Sequence, residues 1–353
     1  MKYNRVYVDS LGYELAPVVV TSSELERRLH PVYSKLHLPE GQLEALTGIV
    51  ERRWWEPGFS VSQGATLAAR KALASADIPA REVGAVIYAG VCREQFEPAT
   101  ACRVAAGLGV SPNAAIFDLS NACLGVLNGM IDIANRIELG QIRAGLVVSC
   151  ETSREINEIA IEHLNAQPDM ETFKNNLATF TGGSGAVAML LTDGSFETPR
   201  QRRLLGGVTQ AAPEFHALCR WGIERMLSMG KMIPNLFRQF MTTDSVSVLK
   251  HGVALGMKTW NAFLWHLGWI SEQIDKVITH QVGACHRDSI LEVLGISPDK
   301  DFSTFEYLGN MGTVSLPLTA ALAEEREFLR PGDRVSFLGI GSGLSCLMLG
   351  LEW

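Results

Sequence analysis

Short apolar runs alternate along the chain with longer stretches in which apolar residues recur every third or fourth position. That pattern predicts a layered α/β fold, with buried strands separated by amphipathic helices. Residues 61–78 (VSQGATLAARKALASADI) carry helical periodicity, and residues 83–91 form an apolar strand that runs into the polar loop CREQFEPAT. A helix follows over 99–108, a buried strand over 114–120, and a helix over 122–140 with Gly140 at its C-terminal stop. Residues 144–151 return as a strand. The second half repeats the theme. It has a long helix over 246–267, a strand over 276–283 running into a turn, and a helix ending at Gly295. A helix over 315–329 comes next, then a strand, a Gly-rich turn and a closing strand. The polar, basic stretch 193–206 reads as the connection between halves. Residues 154–181 are less regular and read as an inserted lid or dimer element. There is no strict sequence repeat, yet two halves of similar element order suit a duplicated fold.

With 353 residues, the chain has the length of two domains or one large one. Hydrophobic residues make up 47% and charged residues 20%, enough apolar material for a large core and too much for disorder. The net charge of −7 argues against a nucleic-acid partner, which needs a basic face. The seven cysteines are odd in number, widely spaced and without a CxxC pair, so they form neither a disulfide framework nor a zinc ribbon. The N-terminus lacks an apolar signal core, and no run of 18 apolar residues occurs. The expected class is a soluble cytoplasmic enzyme with no transmembrane segment.

The strongest chemical signal is FDLSNACLG, where a buried strand gives way within two residues to a helix. Cys123 falls at that elbow, where free N–H groups and the helix dipole favour an anion and are expected to lower the thiol pKa. His280, in ITHQVG, sits at the end of an apolar strand, the place where α/β sheets bind ligands. Asn310 lies in LGNMGTVSLP between two glycines before a helix, a place asparagine also takes for backbone reasons. The run GIGSGL over 339–344 lacks the third glycine of a dinucleotide fingerprint, and only 10 residues follow Gly343, so it reads as a tight turn with N–H groups aimed at an oxyanion. There is no GxSxG elbow, phosphate loop or HExxH, and the spacing of His280, Cys285 and His286 matches no standard metal site. Trp54 and Trp55, after Arg52 and Arg53, either line a cofactor entrance or pack on the surface.

Taken together these motifs resemble the thiolase superfamily, and more closely its β-ketoacyl synthase III-like condensing enzymes. Cysteine in the AC-x-G elbow, histidine in HQ and asparagine in GN before a helix occur in that family's order, and TGI at 47–49 precedes a basic pair as it does there. The resemblance implies a duplicated five-layered α-β-α-β-α thiolase fold, with an N-terminal half over 1–195 and a C-terminal half over 196–353. Within the group the chain is most similar to the OleA-like acyl-CoA condensing enzymes of long-chain olefin biosynthesis. FEPATA, GGVTQAAPEF, LCRWG and GIGSGLSC carry that likeness. In those enzymes an acidic residue before the proline of this loop acts as a base in the partner subunit's site, and here that residue is Glu97. Initiating synthases III carry arginines immediately before TGI and five residues after the histidine, where this chain has Leu46 and Cys285.

The implied reaction is a non-decarboxylative Claisen condensation of two fatty acyl-CoA thioesters to a 2-alkyl-3-oxo acid. A decarboxylating synthase III using malonyl-acyl carrier protein is the alternative. The resemblance assigns Cys123 as nucleophile, His280 and Asn310 as donors to the thioester or enolate oxygen, and Glu97 as base. The N–H groups of Cys123 and Ser342 form the oxyanion hole. Arg52 and Arg53 are the expected contacts to coenzyme A, with no cofactor beyond acyl-CoA as substrate and no metal. Expected partners are a second copy in a homodimer, and downstream pathway enzymes or an acyl carrier protein. Arg52, Arg53, Arg202 and Arg203 are the basic residues available to such a carrier.

Overall fold

The computed structural model describes residues 1–198, 202–228 and 231–353, with side chains outside 225–236. Its strands are β1 (Tyr7–Leu15), β2 (Val18–Thr21), β3 (Glu51–Trp54), β4 (Ala85–Ala89), β5 (Ala115–Leu119), β6 (Ala144–Glu151) and β7 (Gly185–Thr192). Then follow β8 (Arg202–Ala211), β9 (Cys219–Ser228), β10 (Lys231–Thr243), β11 (Lys276–Thr279), β12 (Arg334–Gly341) and β13 (Ser345–Glu352).

Two strand sets of one topology account for the architecture. The first runs β5-β4-β6-β7-β1, with β4 parallel to both β5 and β6, and with β7 antiparallel to β6 and to β1. The second runs β11-β12-β13-β8, with β11 parallel to β12, and with β13 antiparallel to β12 and to β8. The fifth strand of the second set is reduced to a parallel bridge between Val277 and Asp301. The sets meet at Tyr7–Arg203 and Val8–Arg202. The expected duplication is present.

Burial follows the five expected layers. Helices Val61–Ala76 and Thr100–Leu108 cover the outer face of the first set through Ala65, Ala69, Leu73 and Val104. Helices Ser245–Leu267 and Ala284–Leu294 cover the second set through Leu255, Phe263 and Ile290. Helices Gly125–Glu138 and Ser315–Glu325 form the middle layer; the second buries every residue from Ser315 to Ala323, as a helix between two sheets does, whereas the first stays amphipathic, with Asp132, Asn135, Arg136 and Glu138 outside the core. Gly129 lets the first of these approach β6, because a Cβ there would lie 2.6 Å from Val147 Cγ1.

Several sequence expectations change. Residues 202–206 of the anticipated connection belong to β8, because Arg202 is buried and bonds Val8 O and Asp9 O; residues 199–201 lie outside those described. Residues 154–181 are regular after all. Helices Arg154–Ala166 and Met170–Phe180 pack Ile161, Leu164, Phe173 and Phe180 against Leu25, Leu29 and Trp54 of the segment between β1 and the Val61–Ala76 helix. Among the described residues no helix is long and apolar enough to cross a membrane.

Candidate active site

The elbow after β5 is built by backbone. Ala122 takes a left-handed conformation, φ 45°, which side-chain-bearing residues rarely adopt. A 3-10 turn over Ala122–Leu124 then leads into helix Gly125–Glu138 with Cys123 at its centre. The half-buried thiol does not behave as the elbow alone suggests. Burial pushes it up to about 12, with contributions from Cys219 and Glu151. The helix start is also partly spent elsewhere, since Val126 N donates to Thr313 Oγ1 at 2.8 Å. The expected lowering is therefore corrected to a rise. Desolvation outweighs the dipole, and Cys123 rests as a thiol.

Two connections of the second half reach this elbow. Thr313 belongs to the 3-10 turn Gly312–Val314 that follows Asn310. Asn310 is held by its own backbone, with N donating to Thr181 O at 2.8 Å and O accepting from Gly183 N at 2.9 Å. Gly183 must be glycine there, because a Cβ would lie 1.9 Å from Leu308 O. Asn310 Oδ1 accepts from Gly312 N at 3.0 Å, which leaves the amide nitrogen as the free donor. The turn between β12 and β13 closes the other side. A Cβ on Gly341 would sit 3.4 Å from Cys123 N, so the backbone leading to Ser342 lies against the Cys123 N–H.

His280 follows β11 and is anchored by its N–H to Leu338 O of β12 at 2.9 Å. It is 3% exposed, and burial, reinforced by His286, drives its pKa down to about 3. The imidazole is therefore neutral at physiological pH, suited to donating a hydrogen bond and poorly suited to holding a thiol proton. Neighbouring Gln281 is a clamp. Its Nε2 donates to Phe302 O at 2.6 Å, and its Oε1 accepts from Thr304 N at 2.7 Å, tying the histidine turn to the segment that leads to Asn310.

Glu151, at the end of β6, is buried and accepts from Val91 N at 2.9 Å and Cys92 N at 3.0 Å. Burial raises its pKa. It grips the root of the loop that carries Glu97. Glu94 holds the next turn through Ser60 Oγ, Ser62 N and Arg103, and Asp118 takes the N–H groups of Thr100 and Ala101. Between these anchors the tip projects into solvent, with Phe96 91% exposed and Glu97 exposed beside it. Among the described residues no hydrogen bond or ion pair joins Glu97 to Cys123, His280 or Asn310 of its own chain. The Thr313 turn and the backbone at Gly341 thus close on the Cys123 elbow, while Glu97 stands apart in solvent.

Residues 264–353 match the family model for the C-terminal region of 3-oxoacyl-[acyl-carrier-protein] synthase III. The whole chain is 58% identical, over 100% of both proteins, to an acyl-CoA:acyl-CoA alkyltransferase of Shewanella oneidensis. The chain belongs to the acyl-CoA:acyl-CoA alkyltransferase (OleA) family. A solved Xanthomonas campestris OleA, a cysteine-to-serine variant with bound lauric acid and lauroyl-CoA, superposes with a TM-score of 0.91 at 36% identity, covering 99% of this chain and 100% of that one. A β-ketoacyl-[acyl-carrier-protein] synthase III of Streptomyces coelicolor is 30% identical over 97% of this chain and 96% of its own. The fold is the thiolase fold of OleA.

Within this OleA-family chain the basic residues fall differently from expectation. Arg52 is 1% exposed and spends its guanidinium on Ser22 Oγ at 3.0 Å and Val20 O, so it does not face a phosphate arriving from solvent. Arg53, on the opposite face of β3, is half-buried. Arg202 pairs with Glu324 in the interior, and Arg203 lies 3.7 Å from Glu352, so neither stands free for a carrier protein. Trp54 and Trp55 are core residues, neither entrance nor surface; their indole N–H groups donate to Gly182 O and Glu151 O. Leu46 and Cys285 are both exposed, and their turns touch, since a Cβ on Gly283 would meet Thr47 O at 2.8 Å. The region where synthases III carry two arginines is neutral here.

Proposed function

We propose that the protein joins two fatty acyl-CoA thioesters without decarboxylation, releasing a 2-alkyl-3-oxo acid. Cys123 adds to the first thioester, and coenzyme A leaves as its thiol, carrying away the proton. Because thiol and imidazole are both neutral at rest, proton and leaving group move together, with no standing thiolate–imidazolium pair. His280 and the Asn310 amide donate to the oxygen on which charge develops, and Cys123 N–H and Ser342 N–H serve the tetrahedral intermediate. Glu97 then removes the α-proton of the second acyl-CoA. The resulting enolate attacks the acyl-Cys carbonyl, the cysteine sulfur departs and regains a proton, and water cleaves the remaining thioester. Acyl-CoA enters as substrate, and this chemistry calls for no cofactor. Arg53 is the remaining arginine of the pair for coenzyme A.

The observation that carries this reading is Glu97, a carboxylate held on an exposed tip. A malonyl donor forms its carbanion by losing CO₂ and needs no base; a plain acyl-CoA needs one. Identity supports the same choice, at 58% to the alkyltransferase against 30% to the synthase III. The exposed tip, with no hydrogen bond or ion pair among the described residues to Cys123, His280 or Asn310 of its own chain, supports a Glu97 that serves a site across a subunit boundary. β5 is the open edge of the sheet, all five residues half-buried, and an open edge is a template for a second copy. We therefore assign a homodimer in which each Glu97 serves its partner.

Intact-mass spectrometry with a long-chain acyl-CoA alone tests the proposal. Expected are acylated Cys123, released coenzyme A and a 3-oxo acid, or its ketone, built from two acyl chains. Acylation without a carbon–carbon product until a malonyl donor is added would overturn it.

A further inference from the structure

We propose that a single buried water joins His280 to His286 and that His286 is a positioning residue, holding the His280 imidazole in the tautomer with its proton on Nε2. This rests on the assignment of His280 as a hydrogen-bond donor to the substrate oxygen.

His286 lies on helix Ala284–Leu294, two residues inside its start and six after His280. The two rings border one small cavity of about 20 Å³, walled otherwise mainly by Ile290, Leu338, Ile340 and Met348. One water needs about 10–15 Å³ of such space and at least two polar partners. The partners are at hand. His280 Nδ1 and His286 Nδ1 are both buried, and neither has a hydrogen-bond partner among the described residues. Buried polar nitrogens are rarely left so, and ordered water is the usual remedy. Cavities lined only by aliphatic groups stay dry, but this one has an imidazole on two sides.

The protonation of the rings follows from their burial. Both are neutral at physiological pH, since His280 is held down to about 3 and His286 to about 4. A water between two neutral rings donates one O–H to each Nδ1. Each Nδ1 is then an acceptor, and each proton resides on Nε2. For His280 that is the form the reaction needs. The other tautomer would present a lone pair, not a proton, to an oxygen gaining negative charge. The sheet fixes the backbone of His280 through Leu338 O. The water and His286 choose its tautomer.

Two variants separate this role from simple packing. His286→Phe keeps a ring in place and removes the nitrogen; His286→Asn keeps a polar atom where Nδ1 was. We expect His286→Phe to lower kcat for condensation by about tenfold with KM nearly unchanged, and His286→Asn to recover most of it. Nitrogen-15 NMR of histidine-labelled protein should show His280 as the Nε2–H tautomer in the wild type and as a mixture in His286→Phe. A high-resolution crystal structure of the wild type should place one ordered water between the rings. The proposal is overturned by a dry cavity, by a wild-type His280 in the Nδ1–H form, or by a His286→Phe enzyme with wild-type kcat and an unchanged tautomer. Water and tautomer are read without substrate and in the wild type. They decide the matter even if His286→Phe does not fold, and independently of whether two acyl chains are joined.

Discussion

The two halves of the molecule share a strand plan and differ almost wherever a strand ends. After β4 the first half runs ten residues, 90–99, to the next helix and displays Glu97 in solvent; after β11 the second half spends four, 280–283, and buries His280. After β5 comes the turn Ala122–Leu124 and a central helix. At the matching place, after the Asp301 bridge, come the turn Gly312–Val314 and the other central helix. Cys123 and Thr313 are the middle residues of these two turns. One is half-buried; the other is 1% exposed and accepts a hydrogen bond from the helix of the first. Between β6 and β7 the first half inserts two helices, whereas β12 and β13 are joined by a three-residue turn, and Gly341 at the end of β12 lies close to the Cys123 backbone. The comparison teaches that a duplicated scaffold need not duplicate a site. One elbow holds the half-buried Cys123, and connections of the other half pack against it.

The strongest test breaks the equivalence of the two turns. Cys123→Ala should abolish acyl transfer altogether, seen as loss of the acyl adduct by mass spectrometry. Adding Thr313→Cys should restore nothing, because that side chain points at Val126 N and not at an open space. An acylated double variant would mean that the two elbows are interchangeable. The next test concerns the carboxylate outside the site. Glu97→Gln should acylate normally and form no carbon–carbon bond. Mixed and re-equilibrated with Cys123→Ala, it should regain about a quarter of wild-type turnover, since half the dimers then hold one complete site of two. No recovery in the mixture would place Glu97 in its own chain's site.

The turn proposed for the oxyanion hole is probed by Gly341→Ala. A methyl there lies 3.3 Å from Leu124 Cγ and 3.4 Å from Cys123 N, so it presses on the turn without breaking it, and kcat reads whether the Cys123 N–H keeps its aim. Loss of one such donor costs about a hundredfold in kcat. Substrate KM should change far less, and an unaltered kcat would remove this turn from the mechanism. His280 supplies a measurement in stability. Its folded pKa, about 3, lies below the ordinary value of 6.5 that it regains on unfolding. Between those values the unfolded chain binds the extra proton, so stability falls as pH drops through the window and is unaffected above it. The wild type should lose about 1.4 kcal/mol per pH unit relative to His280→Asn, read by denaturant unfolding. Parallel pH profiles for the two proteins would show that the imidazole is not held neutral.

Much of this was legible in the residues. The strand–elbow–helix around Cys123 is written in a largely apolar run that ends in polar Ser120 and Asn121 and resumes as an amphipathic helix, although that strand, expected buried, is half-buried at the sheet edge; the strand over Ala144–Glu151 has the predicted bounds. His280 and Asn310 were placed by strand end and glycine turn. What was not legible depends on distant partners. Arg52 and Arg53 read alike in sequence, and only β3 pairing with β2 turns one into the interior beside Ser22. The rise in the Cys123 pKa comes from surroundings supplied by several segments, Cys219 and Glu151 among them. The hairpin β9–β10 was missed because Met229-Gly230 between its strands is not the Asn-Gly or Asp-Gly pair that marks a tight turn. Gly341 lies in the GIGSGL turn and Thr313 in LGNMGTVSLP, yet nothing in either run singles out that residue, and His286 drew notice only for a metal spacing it does not fit.

The smallest expected effect is the most specific to the pairing of the two halves. Thr313 Oγ1 is the acceptor for Val126 N, a buried donor in the first turn of the nucleophile helix, where no intrahelical carbonyl is within reach. Thr313→Val preserves shape and removes the acceptor. A buried N–H left unpaired costs about 1–3 kcal/mol, so unfolding free energy should fall by that amount while the fold persists. Thr313→Ser keeps the hydroxyl and loses a methyl, so it should cost less than the valine variant if the hydrogen bond matters more than packing. Releasing Val126 N also frees one donor at the helix start for the thiol. The rate of Cys123 alkylation by iodoacetamide should therefore rise modestly in Thr313→Val at pH 8, even as stability falls. A serine variant as unstable as the valine one, with alkylation unchanged in both, would reduce Thr313 to filler between two helices and remove the one hydrogen bond by which the second elbow restrains the first.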